Sequence, residues 1–183
     1  YTIMHNFLFF DTETTGIDLG SSRIVELAWL VCSPDGKEIK GKNYLIKPNG
    51  FKIPKESTKI HGISTKKALK DGKNLKDVLV TFKHYVKKYN ISRIVSHNIE
   101  FDINMIMNEC KRTECYDFKE FINSRKIKLD CSMLKGQKFM KVDKYPKLEE
   151  LYKYLFNEEL NQDHRALSDT KACAKCYFKI KKK

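Results

Sequence analysis

The stretch FLFFDTETTGI, residues 7–17, places a strongly apolar segment directly before two acids. Phe7 to Phe10 has the composition of a buried β-strand. Residues two apart on a strand point to the same side, so Asp11 and Glu13 are expected to project together where that strand ends. Open α/β sheets bind ligands beyond the carboxyl ends of their strands. The stretch therefore predicts one half of a metal site at the edge of a sheet.

Strands and helices alternate along the rest of the chain. Arg23–Cys32 reads as a continuous apolar strand, and Lys42–Ile46 as its hairpin partner after a Pro-Asp-Gly turn. Apolar spacing predicts the later elements: a helix over 75–89, a strand at Arg93–Ser96, a helix through Phe101–Cys110, a strand at Lys126–Cys131, a helix around Leu148–Leu155, and a last helix from about Arg165 to Lys179. This order predicts an α/β sandwich with a mixed central sheet.

The length of 183 residues fits one domain, which we place at residues 4–183. Residues 1–3 precede the first methionine and are read as a cloning remnant or a sign of truncation. Hydrophobic residues make up 41% and charged residues 32%, which is typical of a globular protein. No apolar run approaches the roughly 18 residues of a membrane span, so neither membrane insertion nor export is expected.

The six cysteines lack the regular spacing of a disulfide framework. Cys173-x-x-Cys176 is compatible with half of a zinc site, but no second ligand pair is found, and a helix places these two residues on one buried face. Buried free thiols are the favoured interpretation. They predict a reducing compartment, the cytoplasm or the nucleus.

The formal net charge of +13 suggests a polyanionic partner such as nucleic acid. The 36 basic residues include only five arginines, leaving 31 lysines. Such a lysine excess has a second explanation, an AT-rich genome, so charge alone does not decide the partner. The basic tail, residues 179–183, reads most simply as a solvated helix end.

Two later segments supply further candidate ligands. Asp102 follows the strand residue Ser96 across a short polar crossover, so its carboxylate can converge on the first two acids. In HRALSDT, residues 164–170, His164 and Asp169 lie five apart, about 140° around a helix, and would not share one face. Both can point into a cleft if His164 precedes the helix and Asp169 lies in its first turn.

Each candidate also has a structural explanation. Asp102 and Asp169 are near helix starts, where acids favour the helix dipole and pair with free N–H groups. Asp11 and Glu13 suit a polar turn, and His164 suits a surface position. The acid pair after a buried strand, the acid after a polar crossover and the His-Asp pair at the last helix occur in this order along the chain. Together they favour a metal site over separate structural explanations for each residue.

FFDTETTG, SHNIEFD and HRALSDT resemble the three motifs of the DEDDh superfamily of 3′-to-5′ exonucleases, and the resemblance covers the whole chain. IHGIS, residues 60–64, resembles a segment found in the proofreading-like branch. The resemblance implies a ribonuclease H-like three-layer sandwich and two divalent ions, Mg²⁺ or Mn²⁺. It also implies that Asp11, Glu13, Asp102 and Asp169 bind these ions and that His164 is the general base.

The chemistry agrees with that set. Two ions can neutralise charge on the attacking water and the leaving 3′ oxygen of a phosphodiester. Mg²⁺ prefers oxygen ligands, and an imidazole with a pKa of roughly 6.5 can accept the proton of the water at neutral pH. By the same resemblance, residues of three segments are expected to contact the end of the substrate: Thr12, Thr15, Gly16, Ile17, His61, Ile63, Asn98 and Phe101. For His61, pairing with backbone groups is the alternative, and for Phe101 a place in the core.

The predicted function is metal-dependent 3′-to-5′ hydrolysis of DNA, at single strands or frayed 3′ ends, to nucleoside 5′-monophosphates. An exoribonuclease is the alternative within the class, and a catalytically silent module that binds 3′ ends is the alternative outside it. No polymerase segment is present in the sequence, so proofreading would require a replication or repair protein as a partner. The sequence predicts no oligomeric state.

Overall fold

A computed structural model describes residues 3–182. Its five strands form one sheet in the order β3-β2-β1-β4-β5. The strands are β1 (Asn6–Thr14), β2 (Ile24–Cys32), β3 (Glu38–Leu45), β4 (Ile91–Ser96) and β5 (Lys128–Cys131). The first three pair antiparallel, and β4 and β5 continue the sheet in parallel from β1. The predicted mixed sheet is confirmed, and β3 begins earlier than expected.

Eight helices accompany the sheet within the described part of the chain. They are α1 (Lys55–His61), α2 (Thr65–Asp71), α3 (Leu75–Lys88), α4 (Ile99–Arg112), α5 (Phe118–Ser124), α6 (Ser132–Met140), α7 (Leu148–Phe156) and α8 (Ala166–Lys181). Of these, α3, α4, α6 and α8 pack on the sheet. The sequence predicts α3, α4, α7 and α8 within a few residues. It misses α1, α2, α5 and α6, which have seven to nine residues each and bury only one or two side chains apiece.

The two faces of β1 meet different helices. Phe7 and Phe9 pack against Tyr177 and Phe178 of α8, whereas Phe10 packs against Phe82 of α3. Since alternate residues of a strand point to opposite faces, the odd-numbered positions of β1 face α8 and the even-numbered ones face α3 and α4. This alternation decides where the acids at the end of β1 point.

The cysteines are free thiols, and all except Cys115 are buried. Cys173 and Cys176 lie on the buried side of α8, as the alternative to a zinc site predicts. No helix among residues 3–182 combines the length and the apolar character needed to cross a bilayer.

Candidate active site

Three carboxylates meet at the carboxyl end of β1, the central strand of the sheet. One ligand oxygen each from Asp11, Glu13 and Asp169 lie within 4.8 Å of one another. Asp11 and Glu13 occupy odd-numbered positions of β1 and face α8, whose first turn carries Asp169. The structure thus brings together three of the four acids that the sequence singles out.

The fourth acid, Asp102, approaches from the other face of the sheet. Its carboxylate accepts hydrogen bonds from Thr12 Oγ1 at 2.6 Å and from Ser96 Oγ at 2.5 Å. Thr12 is an even-numbered residue of β1, so it faces α4 while its neighbours face α8. Asp102 lies near enough to raise the pKa of Asp11 by repulsion, but its oxygens are directed at the two hydroxyls.

Neither helix-borne acid caps its own helix. The N-cap residues of α4 and α8 are Asn98 and Arg165. Asp102 instead bonds to two hydroxyls, and the Asp169 carboxylate accepts a hydrogen bond from Gln162 Nε2 at 3.1 Å. Within residues 3–182, neither acid therefore pairs with the free N–H groups of its own helix, although both lie in the first turn, where the helix dipole favours an acid.

Burial and mutual repulsion hold the acids towards their protonated forms. Burial is the largest cause at Asp11, whose pKa is raised well above its usual value, with repulsion from Asp102 and Glu13 next. Burial, followed by repulsion from Asp169, raises the pKa of Glu13 to about 9. Burial also raises the pKa values of Asp102 and Asp169, each to about 6. At Asp102 the hydrogen bonds from Ser96 and Thr12 act in the opposite direction and lower the pKa. Arg165 near Glu13 and His164 near Asp169 lower the pKa values of these two carboxyls, but burial and repulsion outweigh them.

The donor set fits a divalent cation. It consists of carboxylate oxygens only, which Mg²⁺ and Mn²⁺ prefer. A bound cation would relieve the repulsion among the carboxylates of the cluster. In addition, Gln162 Oε1 is buried beside the cluster without a hydrogen-bond partner among residues 3–182. The residues present therefore suit the predicted ions.

His164 lies in the loop just before α8, as predicted, and is exposed. Its φ of 51° is in the left-handed region, which turns the chain between Gln162 and the helix. The imidazole is close enough to Asp169 to lower the pKa of that carboxyl. His164 has no hydrogen-bond partner among residues 3–182, and its side chain is exposed near Asp169.

The loop after β1 is fixed to its surroundings. The N–H of Thr15 donates to the Arg23 carbonyl at 2.9 Å, and Thr15 Oγ1 accepts from the Arg23 N–H at 2.9 Å. The Thr15 carbonyl accepts a hydrogen bond from Ser57 Oγ. Gly16 and Ile17 follow, and Ile17 is 91% exposed. A rigid loop thus presents an apolar side chain to solvent beside the acids.

Two residues that were expected to contact the end of the substrate, His61 and Ile63, are buried. Ile63 is 0% exposed and packs with Val25, Ile53 and Ala68, so it does not wall the cleft, which corrects the sequence-based expectation. His61 is also buried: Nε2 donates to the Thr14 carbonyl at 3.3 Å and Nδ1 accepts from the Ile63 N–H, as its structural alternative states.

The remaining expected contacts are divided between site and core. The Thr12 hydroxyl is engaged by Asp102 and the residue is 8% exposed, so that side chain does not face a substrate. Asn98 is exposed at the start of α4 with a φ of 73°. Phe101 packs against the core between the sheet, α3 and α4 and remains half-buried.

Glu26 and Gln162 lie beside the cluster but are not among the residues predicted from the sequence. Glu26 lies directly opposite Glu13 on β2, is 0% exposed, and binds the Arg165 side chain. A signal existed, because Glu26 is the one charged residue of the strand IVELAWLVC, and a buried acid requires a partner. Gln162 carries no such signal in a polar loop.

The chain is similar in sequence to proteins of one known family. A family model described as Exonuclease (RNase T) matches residues 8–177. The chain is similar to the DNA polymerase III subunit epsilon of Aquifex aeolicus (strain VF5), with 31% identity over 174 residues, 95% of this chain and 79% of the relative. It is also similar to the PolC-type DNA polymerase III of Caldanaerobacter subterraneus subsp. tengcongensis, with 28% identity over 182 residues, 97% of this chain but 12% of that relative.

Solved structures show the same fold. E. coli Exonuclease I in complex with a dA16 oligonucleotide gives a TM-score of 0.83 at 18% identity, covering 97% of this chain and 41% of that one. An apo form of Exonuclease I gives 0.83 at 18% identity, covering 98% of this chain and 42% of that one. The chain therefore belongs to the RNase T exonuclease family and has the ribonuclease H-like fold that the sequence predicts.

Proposed function

We propose that the protein is a metal-dependent 3′-to-5′ exonuclease that releases nucleoside 5′-monophosphates from single-stranded or frayed DNA ends. The observation that carries the proposal is the cluster of Asp11, Glu13 and Asp169, whose oxygens lie within 4.8 Å of one another beside the exposed His164. Family membership supports the same reaction class.

In this proposal Asp11, Glu13 and Asp169, with Asp102, hold two Mg²⁺ or Mn²⁺ ions. When bound, such ions neutralise charge on the attacking and leaving oxygens of a phosphodiester. Asp102 is fixed by Thr12 and Ser96 and acts from the opposite face of the sheet. His164 is exposed near Asp169, and its imidazole accepts the proton of the attacking water.

The end of the substrate meets the loop after β1. Ile17, which is almost fully exposed, packs against the terminal base, and the backbone of Thr15 and Gly16 supports it. Asn98 and the exposed part of Phe101 lie at the start of α4, where the next nucleotide passes. Stacking and phosphate contacts of this kind tolerate any base sequence, which suits a net charge of +13.

DNA is the proposed polymer because one relative is named as a PolC-type DNA polymerase III and the other as a subunit of DNA polymerase III. Structural neighbours are reported in complex with dA16 and dT13 oligonucleotides. A replication or repair protein is the proposed partner, by the same relatives. The proposed unit is one domain over residues 4–183, and the free thiols favour a reducing compartment, the cytoplasm or the nucleus.

The experiment is a time course on single-stranded DNA and RNA of equal sequence, labelled at either the 3′ or the 5′ end. Wild-type protein is compared with Asp11→Ala and His164→Ala in Mg²⁺, Mn²⁺ or EDTA. We expect a ladder that shortens from the 3′ end, faster on DNA, and that disappears in EDTA and in both variants.

The outcomes separate the alternatives. Faster loss of RNA would make the protein an exoribonuclease. Tight binding of 3′ ends in EDTA, without cleavage in either metal, would support the silent binding module. Internal cuts that leave the 3′ label in place would contradict the exonuclease proposal.

A further inference from the structure

Glu26 joins strand β2 to the start of α8. Its carboxylate accepts hydrogen bonds from Arg165 Nε at 3.1 Å, Arg165 Nη2 at 2.5 Å and the Ala166 N–H at 2.8 Å. Asn43 Nδ2 adds a fourth contact at 3.3 Å. A bidentate arginine–carboxylate pair fixes both distance and orientation, unlike a point charge. The start of α8 therefore has one defined position relative to β2.

The segment that Glu26 holds carries two groups of the proposed active site. Arg165 is the N-cap residue of α8 and makes no capping bond with its own side chain, so Glu26 supplies an acceptor for the first free helix N–H. His164 directly precedes Arg165, and Asp169 lies in the turn that follows. On the other strand, Glu26 is paired directly with Glu13 in the sheet register.

We propose that Glu26 and Arg165 are positioning residues that hold His164 and Asp169 in place against Asp11 and Glu13. The inference rests on the proposed function, since the groups held are its metal ligands and its general base. Loss of Glu26 leaves the Ala166 N–H and the Arg165 guanidinium without this acceptor. Loss of the Arg165 guanidinium leaves the buried charge of Glu26 without its cation. The first turn of α8 then moves relative to β1, and the ligand oxygens of Asp169 move with it.

A purely structural role is the competing explanation, and the chain contains a matched control for it. Glu109 of α4 is also 0% exposed. Its carboxylate accepts from Arg23 Nε at 2.9 Å, from Arg112 Nη1 at 2.6 Å and from the Ile24 N–H at 3.3 Å. It therefore resembles Glu26 in burial and in partners, but it contacts neither α8 nor any acid of the cluster.

The test measures Mn²⁺ affinity by titration calorimetry for wild-type protein, Glu26→Gln, Arg165→Lys and Glu109→Gln, with melting temperatures in EDTA. We expect Glu26→Gln and Arg165→Lys to raise the Kd for Mn²⁺ about tenfold or more, as loss of a group that orients metal ligands does. On a single-stranded oligonucleotide their kcat falls while KM is unchanged. Glu109→Gln lowers the melting temperature but keeps the wild-type Mn²⁺ affinity.

Wild-type Mn²⁺ affinity in both Glu26→Gln and Arg165→Lys would overturn the inference. An equal loss in Glu109→Gln would also overturn it, because any buried acid would then have the same effect. If Glu26→Gln does not fold, Arg165→Lys decides alone, since it keeps a cation opposite Glu26. Mn²⁺ binding by wild-type protein that degrades no oligonucleotide would contradict the proposed function, while the affinity comparison would still decide the role of the pair.

Discussion

Thr12 and Asp102 are joined by a 2.6 Å hydrogen bond that links the end of β1 to the first turn of α4. Thr12 lies between two acids that face α8, and its own side chain faces the opposite way. The bond therefore holds the first turn of α4 against the end of β1. It also stabilises the ionised form of a buried carboxyl.

We expect Thr12→Val to cost about 1.5–3 kcal/mol of unfolding free energy at pH 8, as bonds to charged groups do. The bond lowers the pKa of Asp102, so its contribution is present above about pH 6 and is lost as pH falls through that value. Urea denaturation at pH 8 and pH 5 measures the difference. Thr58→Val removes a hydroxyl bonded to the neutral Ile63 carbonyl and should show no such dependence on pH.

Metal binding should stabilise the protein more at pH 8 than at pH 7. Burial and repulsion raise the pKa of Glu13 to about 9 and that of Asp11 in the same direction, so the metal-free folded state binds more protons than the unfolded state. The stability of the metal-free protein therefore falls as pH rises from 7 to 8. Bound cations remove this loss because they neutralise the ionised carboxylates. Melting temperatures in EDTA and in Mn²⁺ at both pH values give the difference; an equal metal effect at pH 7 and pH 8 would contradict it.

His164→Ala and Asp169→Asn should fail in different ways. Loss of a general base lowers kcat by about 10²–10⁴, and His164→Ala should show that loss with Mn²⁺ affinity unchanged. Asp169→Asn removes a ligand oxygen and should weaken Mn²⁺ binding as well as activity. Single-turnover rates and calorimetry on both variants separate the roles. Weakened Mn²⁺ binding in His164→Ala would show that the imidazole is a ligand.

Ile17 and Ile63 offer a matched pair. Ile17→Ala should raise KM for single-stranded DNA and leave stability unchanged, because the side chain is 91% exposed. Ile63→Ala should instead cost about 2–5 kcal/mol of unfolding free energy, because the side chain is fully buried. Steady-state kinetics and urea denaturation on both variants test the division. A KM effect confined to Ile63→Ala would reverse it.

Strong periodic patterns explain what the sequence predicts well. The apolar strands β1 and β2 and the long helices α3 and α8 carry signals over many residues. The short helix α6 is different, because Gly136 interrupts its middle and a Cβ there would lie 2.7 Å from Leu151. Its shape is set by packing against α7, which no local pattern records.

The acids of the site were predictable because strand alternation alone points Asp11 and Glu13 in one direction. The partners of the acids were not. Thr12 and Ser96 bond to Asp102 only once β1, β4 and α4 are assembled, and Glu26 finds Arg165 across 139 residues of sequence. Such contacts depend on tertiary structure, so the sequence does not identify the partner, even where a buried acid such as Glu26 indicates that one is needed.

The positive φ of His164 would set stability against the proposed catalytic role at one residue. The left-handed region costs a histidine free energy that glycine does not pay. His164→Gly should therefore melt at a higher temperature than His164→Ala, although both lack the proposed base. Glycine, the substitution that relaxes this backbone, would therefore also remove the proposed general base. Selection for a well-folded chain alone would tend to produce a protein that keeps the cleft and loses the reaction.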